Sequence, residues 1–133
     1  MEDFNMQVEV SIGEFLDKIS ILELKLLNIT DKDKLFNIKR EFYYLNPFCT
    51  ELLETYGDEL KGLYLKLSKI NGDLWVIEDK LRELEAKKQF DDEFIELARS
   101  VYFTNDKRAE VKKDINLLTG SELVEEKSYK DYK

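Results

Sequence analysis

The sequence predicts an all-α protein, an elongated hairpin or bundle of about four helices with a long coiled-coil-like third helix. Three observations carry this. The 133 residues hold one proline and five glycines, too few breakers for a sheet with many turns. Apolar residues recur in steps of three and four along most of the chain. Capping residues stand where those stripes begin and end. The length fits a single domain: an N-terminal arm (1–10), a helical core (11–118) and a tail (121–133).

Residues 4–10 alternate at Met6, Val8 and Val10, which predicts a short strand or extended arm. Ser11-Ile-Gly-Glu14 has the form of a capping box, in which Ser and Glu satisfy free N–H groups reciprocally. Ile12, Phe15, Ile19, Leu22, Leu26 and Ile29 then line one face of a first helix. Thr30-Asp31 ends it and can cap the next. A second helix is expected from about Lys32 to Leu45, with Leu35, Ile38, Phe42 and Leu45 inward. Asn46-Pro47 should stop it, since a residue before proline is pushed out of the helical region.

A third helix should start near Pro47. Its seam runs Cys49, Leu53, Tyr56, Leu60, Leu63, Leu67, Ile70, Leu74, Ile77, Leu81 and Leu84. The phase passes Gly72 unbroken, although Asn71-Gly72-Asp73 would allow a bend. Asp91 or Asp92 caps a last helix from about Asp92 to Leu118, and Gly120 stands where a left-handed C-cap glycine belongs. The tail adds Leu123, Val124, Tyr129 and Tyr132, which can pack as an arm or fray.

Charge and composition exclude several functions. The net charge is -8 and the pI about 4.7, with no segment dominated by Lys and Arg. Nucleic acid and anionic membrane are therefore not expected as partners. The first seventeen residues carry acids and no base, unlike a signal or transit peptide, and no apolar run approaches a membrane span. A cytoplasmic location is expected. Histidine is absent and Cys49 is the sole cysteine, which removes histidine-based triads, disulfides within the chain and multi-cysteine zinc sites. Glu51-Leu-Leu-Glu54, Glu93-Phe-Ile-Glu96 and Glu122-Leu-Val-Glu125 have a spacing that can hold magnesium. The first two lack the second acidic pair of all-helical nucleotide pyrophosphohydrolases. No catalytic residue, metal or cofactor is assigned.

The most unusual feature is polar. The stripe of the last helix breaks where Arg99, Tyr102, Thr104, Asn105, Asp106 and Arg108 cluster. On the third helix Trp75, Glu78, Asp79 and Arg82 share one face. Counting back from a turn near residue 90 sets positions 75–82 opposite roughly 98–105. As a site, Arg82, Arg99 and Arg108 would take an anionic group, and Glu78, Asp79 and Asp106 a cation or hydroxyls. As structure, the same residues would be a hydrogen-bonded layer that sets helix register, the commoner device in helical proteins.

Phe90-Asp-Asp-Glu-Phe-Ile-Glu-Leu-Ala-Arg-Ser-Val-Tyr102, Thr104-Asn-Asp-Lys-Arg-Ala109, Val10-Ser-Ile-Gly-Glu-Phe-Leu-Asp-Lys-Ile19 and Leu74-Trp-Val-Ile-Glu-Asp-Lys-Leu-Arg82 resemble an uncharacterised family, a domain of unknown function of small helical bacterial and phage proteins. The resemblance spans nearly the whole chain and is loosest at about 30–65. It implies that the two polar patches belong to the family pattern, and that the chain is encoded near surface-polysaccharide glycosyltransferases. Two functions are thus expected. The first is a non-enzymatic interaction protein that forms a homodimer through its long seam and docks a protein partner. The second is an accessory protein or enzyme of carbohydrate or nucleotide-sugar metabolism, binding a polar or anionic ligand at Trp75, Glu78, Asp79, Arg82, Arg99, Tyr102, Asn105, Asp106 and Arg108.

Overall fold

The computed structural model describes residues 5–121, 126 and 131. Three helices follow one another: α1 (Ile12–Asn28), α2 (Lys32–Ala86) and α3 (Asp92–Thr119). The all-α class stands, but among the described residues the expected four helices are three and the expected strand is absent. Residues 5–10 are exposed and form no strand. Three alternating residues bury too little apolar surface to hold a lone strand without a pairing edge. Phe4 and the apolar residues of the tail lie outside the described residues.

The expected second and third helices are one, because Asn46-Pro47 does not end the helix. An interior proline costs about 3 kcal/mol, since it removes one backbone hydrogen bond and crowds the carbonyl four residues back. Here Pro47 and Tyr43 face solvent, while Phe42, Leu45, Leu52 and Leu53 pack on the core from the opposite side. Burying that face offsets the lost bond. The break falls instead at Gly57, whose φ of 68° and ψ of -149° are open to glycine and strained for other residues. Asn71-Gly72-Asp73 stays helical, so the second part of α2 (58–86) runs on for about 43 Å at 1.5 Å per residue.

Helix ends follow the sequence closely, with one exception. Asp31 accepts from the N–H groups of Asp33 and Lys34, and Asp91 from that of Phe94. Gly120 closes α3 in the left-handed region. At α1, Ser11 Oγ accepts from Glu14 N–H at 3.1 Å. The other half of the capping box is not made, because the Glu14 carboxylate turns to Lys112 Nζ at 2.6 Å.

The core gathers Leu16 and Ile19 of α1, Cys49, Leu60, Tyr64 and Leu67 of α2, and Val111 and Ile115 of α3. Thus α1 lies between both parts of α2 and α3. It buries Gly13, Leu16, Asp17, Ile19, Ser20 and Leu22, more than the single stripe expected of it. Leu60, Leu67, Leu74 and Leu84, expected to form a seam for another chain, are buried within this one. The start of α1 meets the end of α3: Gly13 N–H donates to Asn116 Oδ1 at 2.7 Å. The tip of α2 and the start of α3 continue as a hairpin, where Glu78, Leu81 and Arg82 face Phe94, Ala98 and Val101.

Two glycines on these helices should respond in opposite directions. A Cβ at Gly13 would stand 2.6 Å from the Lys112 carbonyl oxygen and 3.0 Å from Asn116 Oδ1, whereas one at Gly62 meets nothing within 4 Å. Gly13→Ala should cost about 1–3 kcal/mol through forced backbone shifts. Gly62→Ala should stabilise by up to about 1 kcal/mol. Urea denaturation of the two variants checks both.

Candidate functional site

The buried polar residues Asp17 and Ser20 sit one turn apart on the face of α1 that meets the second part of α2. A carboxylate taken out of water must be hydrogen-bonded or paired. Asn71, itself buried, supplies both partners: its Nδ2 donates to Asp17 Oδ1 at 2.8 Å and to Ser20 Oγ at 2.7 Å. Ser20 Oγ in turn donates to the Asp17 carbonyl at 2.8 Å. Asn71 Oδ1 accepts from Arg108 of α3 at 3.2 Å, and Arg108 also donates to Asn105 Oδ1 at 2.7 Å. Lys112 lies 3.8 Å from Asp17 Oδ2 and bonds Glu14.

This chain of contacts crosses all three helices. It sets Lys112 against two carboxylates, Glu14 and Asp17, and joins Arg108 to them through the Asn71 amide. Among the described residues, no buried side-chain nitrogen or oxygen is left without a partner.

The network ends at a groove of about 370 Å³ between the three helices. Ile21, Leu24 and Leu74 give it an apolar floor, Trp75 an aromatic wall, and Glu78 and Asp79 two carboxylates; Asn105 and Arg108 close it. The half-buried Arg108 guanidinium is held by two neutral amide oxygens, and among the described residues no carboxylate pairs with it. A guanidinium has five N–H groups, so those not used by Asn71 and Asn105 remain for a ligand.

The nine residues expected to form one site therefore separate. Trp75, Glu78, Asp79, Asn105 and Arg108 line the groove. Arg82 is exposed, reaches Glu78 at 4.0 Å and borders the hollow beside Phe94. Arg99 pairs with Glu96 at 3.3 Å and lies over the Phe103 ring, 5.9 Å from its centroid. Tyr102 is exposed and packs tilted against Phe103. Asp106 is half-buried on α3 and does not line the groove. Helical geometry explains part of the split: Asp106 is one residue from Asn105 and two from Arg108 and so points to a different side of α3, and Arg99, nine residues before Arg108, stands half a turn away from it.

Sequence reasoning missed Asp17, Ser20, Asn71 and Lys112. A signal was present: Asp17 and Ser20 recur at helical spacing beside Leu16 and Ile19, and Asn71 follows Leu67 by four. Among the described residues, no group of three or more metal-ligating side chains stands together.

A second polar contact, part-buried, joins α1 and α2. Tyr64 OH donates to Glu23, and Cys49 lies beside them in the core. Burial, with the Glu23 charge adding to it, pushes the Cys49 thiol up to about 11. Burial, then the Glu23 hydrogen bond and charge, raises Tyr64 well above the usual phenol range.

Residues 6–132 match the model of DUF6165, a family of unknown function. The fold and its polar layer define a small three-helix protein, and the chain belongs to the DUF6165 family. No curated protein and no solved structure is significantly similar to it.

Removing the amide at the centre of the network should be costly. Asn71→Leu leaves Asp17, Ser20 and Arg108 each one partner short and should lower stability by about 3 kcal/mol or more. The exposed Asn37→Leu should stay within about 0.5 kcal/mol. Chemical denaturation compares them.

Stability should also fall in alkali. Because Cys49 rises from about 9 to about 11 on folding, the unfolded chain loses its proton first. The thiol's contribution is complete below pH 9 and is lost as pH climbs toward 11. A urea midpoint that falls over that interval, with a shallower fall in Cys49→Ala, is expected.

Proposed function

We infer that the groove at Arg108 binds a small polar metabolite carrying an anionic group and hydroxyls, of the kind a phosphorylated sugar presents. The observation that carries this is the Arg108 guanidinium, half-buried at the groove and held, among the described residues, by the amides of Asn71 and Asn105. Two neutral acceptors orient a cation without neutralising it, and its free N–H groups suit a phosphate or carboxylate. Glu78 and Asp79 would repel a bare polyanion but accept hydroxyl hydrogens. Trp75 offers the flat apolar surface on which a sugar or base ring packs.

An accessory role in carbohydrate or nucleotide-sugar metabolism agrees with this ligand class. It also agrees with a bacterial or phage origin and a gene near surface-polysaccharide glycosyltransferases, which the family resemblance implies, and with the cytoplasmic location expected from the sequence. Among the described residues, no helix is long and apolar enough to cross a membrane. A second reading, a helical interaction protein that self-associates, no longer draws on the Leu60–Leu84 seam, which is filled from within. It draws on a separate exposed face of α2, described below.

Trp75 is the sole tryptophan, so its emission reports on the groove directly. Titration with glucose 1-phosphate, a nucleotide diphosphate sugar and inorganic phosphate should give a saturable change for a phosphorylated sugar. The change should be weakened about tenfold or more in Arg108→Gln, as expected for a lost charge-assisted pair. Emission unmoved by all three at millimolar concentration, in protein that melts normally, would sink the reading.

A further inference from the structure

The first part of α2 (32–56) carries aromatic residues on the side that should be polar. Leu35, Ile38, Phe42, Leu45 and Cys49 face inward. Opposite them runs an exposed stripe of Lys32, Phe36, Arg40, Tyr43, Pro47, Glu51 and Glu54, in steps of three and four. Phe36 is 62% exposed and Tyr43 69%, and Tyr44 and Phe48 flank the stripe at 72% and 53%. Scattered apolar residues on a surface are ordinary, but an ordered row of rings on one helix marks a contact surface.

The charges on this stripe are sorted. Lys32 and Arg40 stand at its N-terminal end, Glu51 and Glu54 at its C-terminal end. None of the four has an ion-pair partner within the chain among the described residues. Arg40 only caps the Phe36 ring, 5.9 Å from its centroid. Lys32 and Glu54 are equally far along the helix from Tyr43, eleven residues on either side. A two-fold axis through Tyr43 therefore sets Lys32 of one copy beside Glu54 of the other, with Arg40 near Pro47 and Glu51. Such self-complementarity is what a symmetric dimer requires of one patch. Parallel pairing would instead place like charges together.

We propose that this face binds a second copy of the chain, antiparallel and centred on Tyr43. The sorted charges select a second copy as the occupant, and the groove at Arg108 is not involved. The Leu60–Leu84 seam contributes nothing to the contact.

Light scattering across the micromolar range should show a monomer–dimer equilibrium that weakens with salt. Tyr43→Asp should abolish the dimer while the helical circular-dichroism signal is kept, since Tyr43 is exposed and meets the core side only through the edge of the Phe42 ring. Lys32→Glu and Glu54→Lys should each weaken it about fivefold, and the double variant should restore it. Under oxidation Tyr43→Cys should cross-link to itself. Lys32→Cys should link only in a mixture with Glu54→Cys. The proposal is overturned by a monomer at every concentration, by a dimer indifferent to Tyr43→Asp, or by Lys32→Cys linking readily to itself.

Discussion

The hydrogen bonds from Asn71 to Asp17 and Ser20 decide how the three helices meet. Helix α1 carries two buried polar groups on the face it turns to α2, and a carboxylate in the interior tolerates few neighbours. The Asn71 amide can donate twice and still accept from Arg108, so one side chain joins all three helices. A shift of α2 by one residue would rotate that amide away and strand Asp17. Apolar contacts are non-directional and would accept several registers. The polar layer selects one.

Two glycines make that arrangement possible. Gly13 lets the first turn of α1 approach the α3 backbone so closely that Asn116 bonds its N–H. Gly57 turns α2 so that both of its parts reach α1. The groove is a consequence of the same geometry. Beside Asn71 the apolar side chains of Ile21, Leu24 and Leu74 line an open groove, and Arg108, needed to satisfy the amide, is held at its edge. Layer and groove thus share residues, so a side chain can belong to the fold and still offer donors to a ligand.

Much of this was legible in the residues. The helical class, the caps at Asp31 and Asp91, the C-cap at Gly120 and the uninterrupted phase across Gly72 all follow from local chemistry. The opposition of Glu78 and Arg82 to Ala98 and Val101 follows from counting outward from one short turn. The Trp75–Arg108 half of the site was visible as a break in a stripe. Its other half was not, because Asp17 and Ser20 look like ordinary solvated residues until a second helix covers that face. The stop expected at Pro47 failed for a related reason: a local breaker is overridden when the opposite face of the helix is buried.

The sequence by itself determined which segments are helical, where three of them end and which stripe of each is apolar, since these depend on contacts a few residues apart. Only the tertiary structure decided that α2 is a single helix bent at Gly57, that α1 is enclosed on both sides, and that Arg82 and Arg99 stand apart from Arg108. Those outcomes rest on contacts between residues tens of positions apart, such as Asn71 with Asp17. Periodicity along one helix carries no record of which partner will cover it.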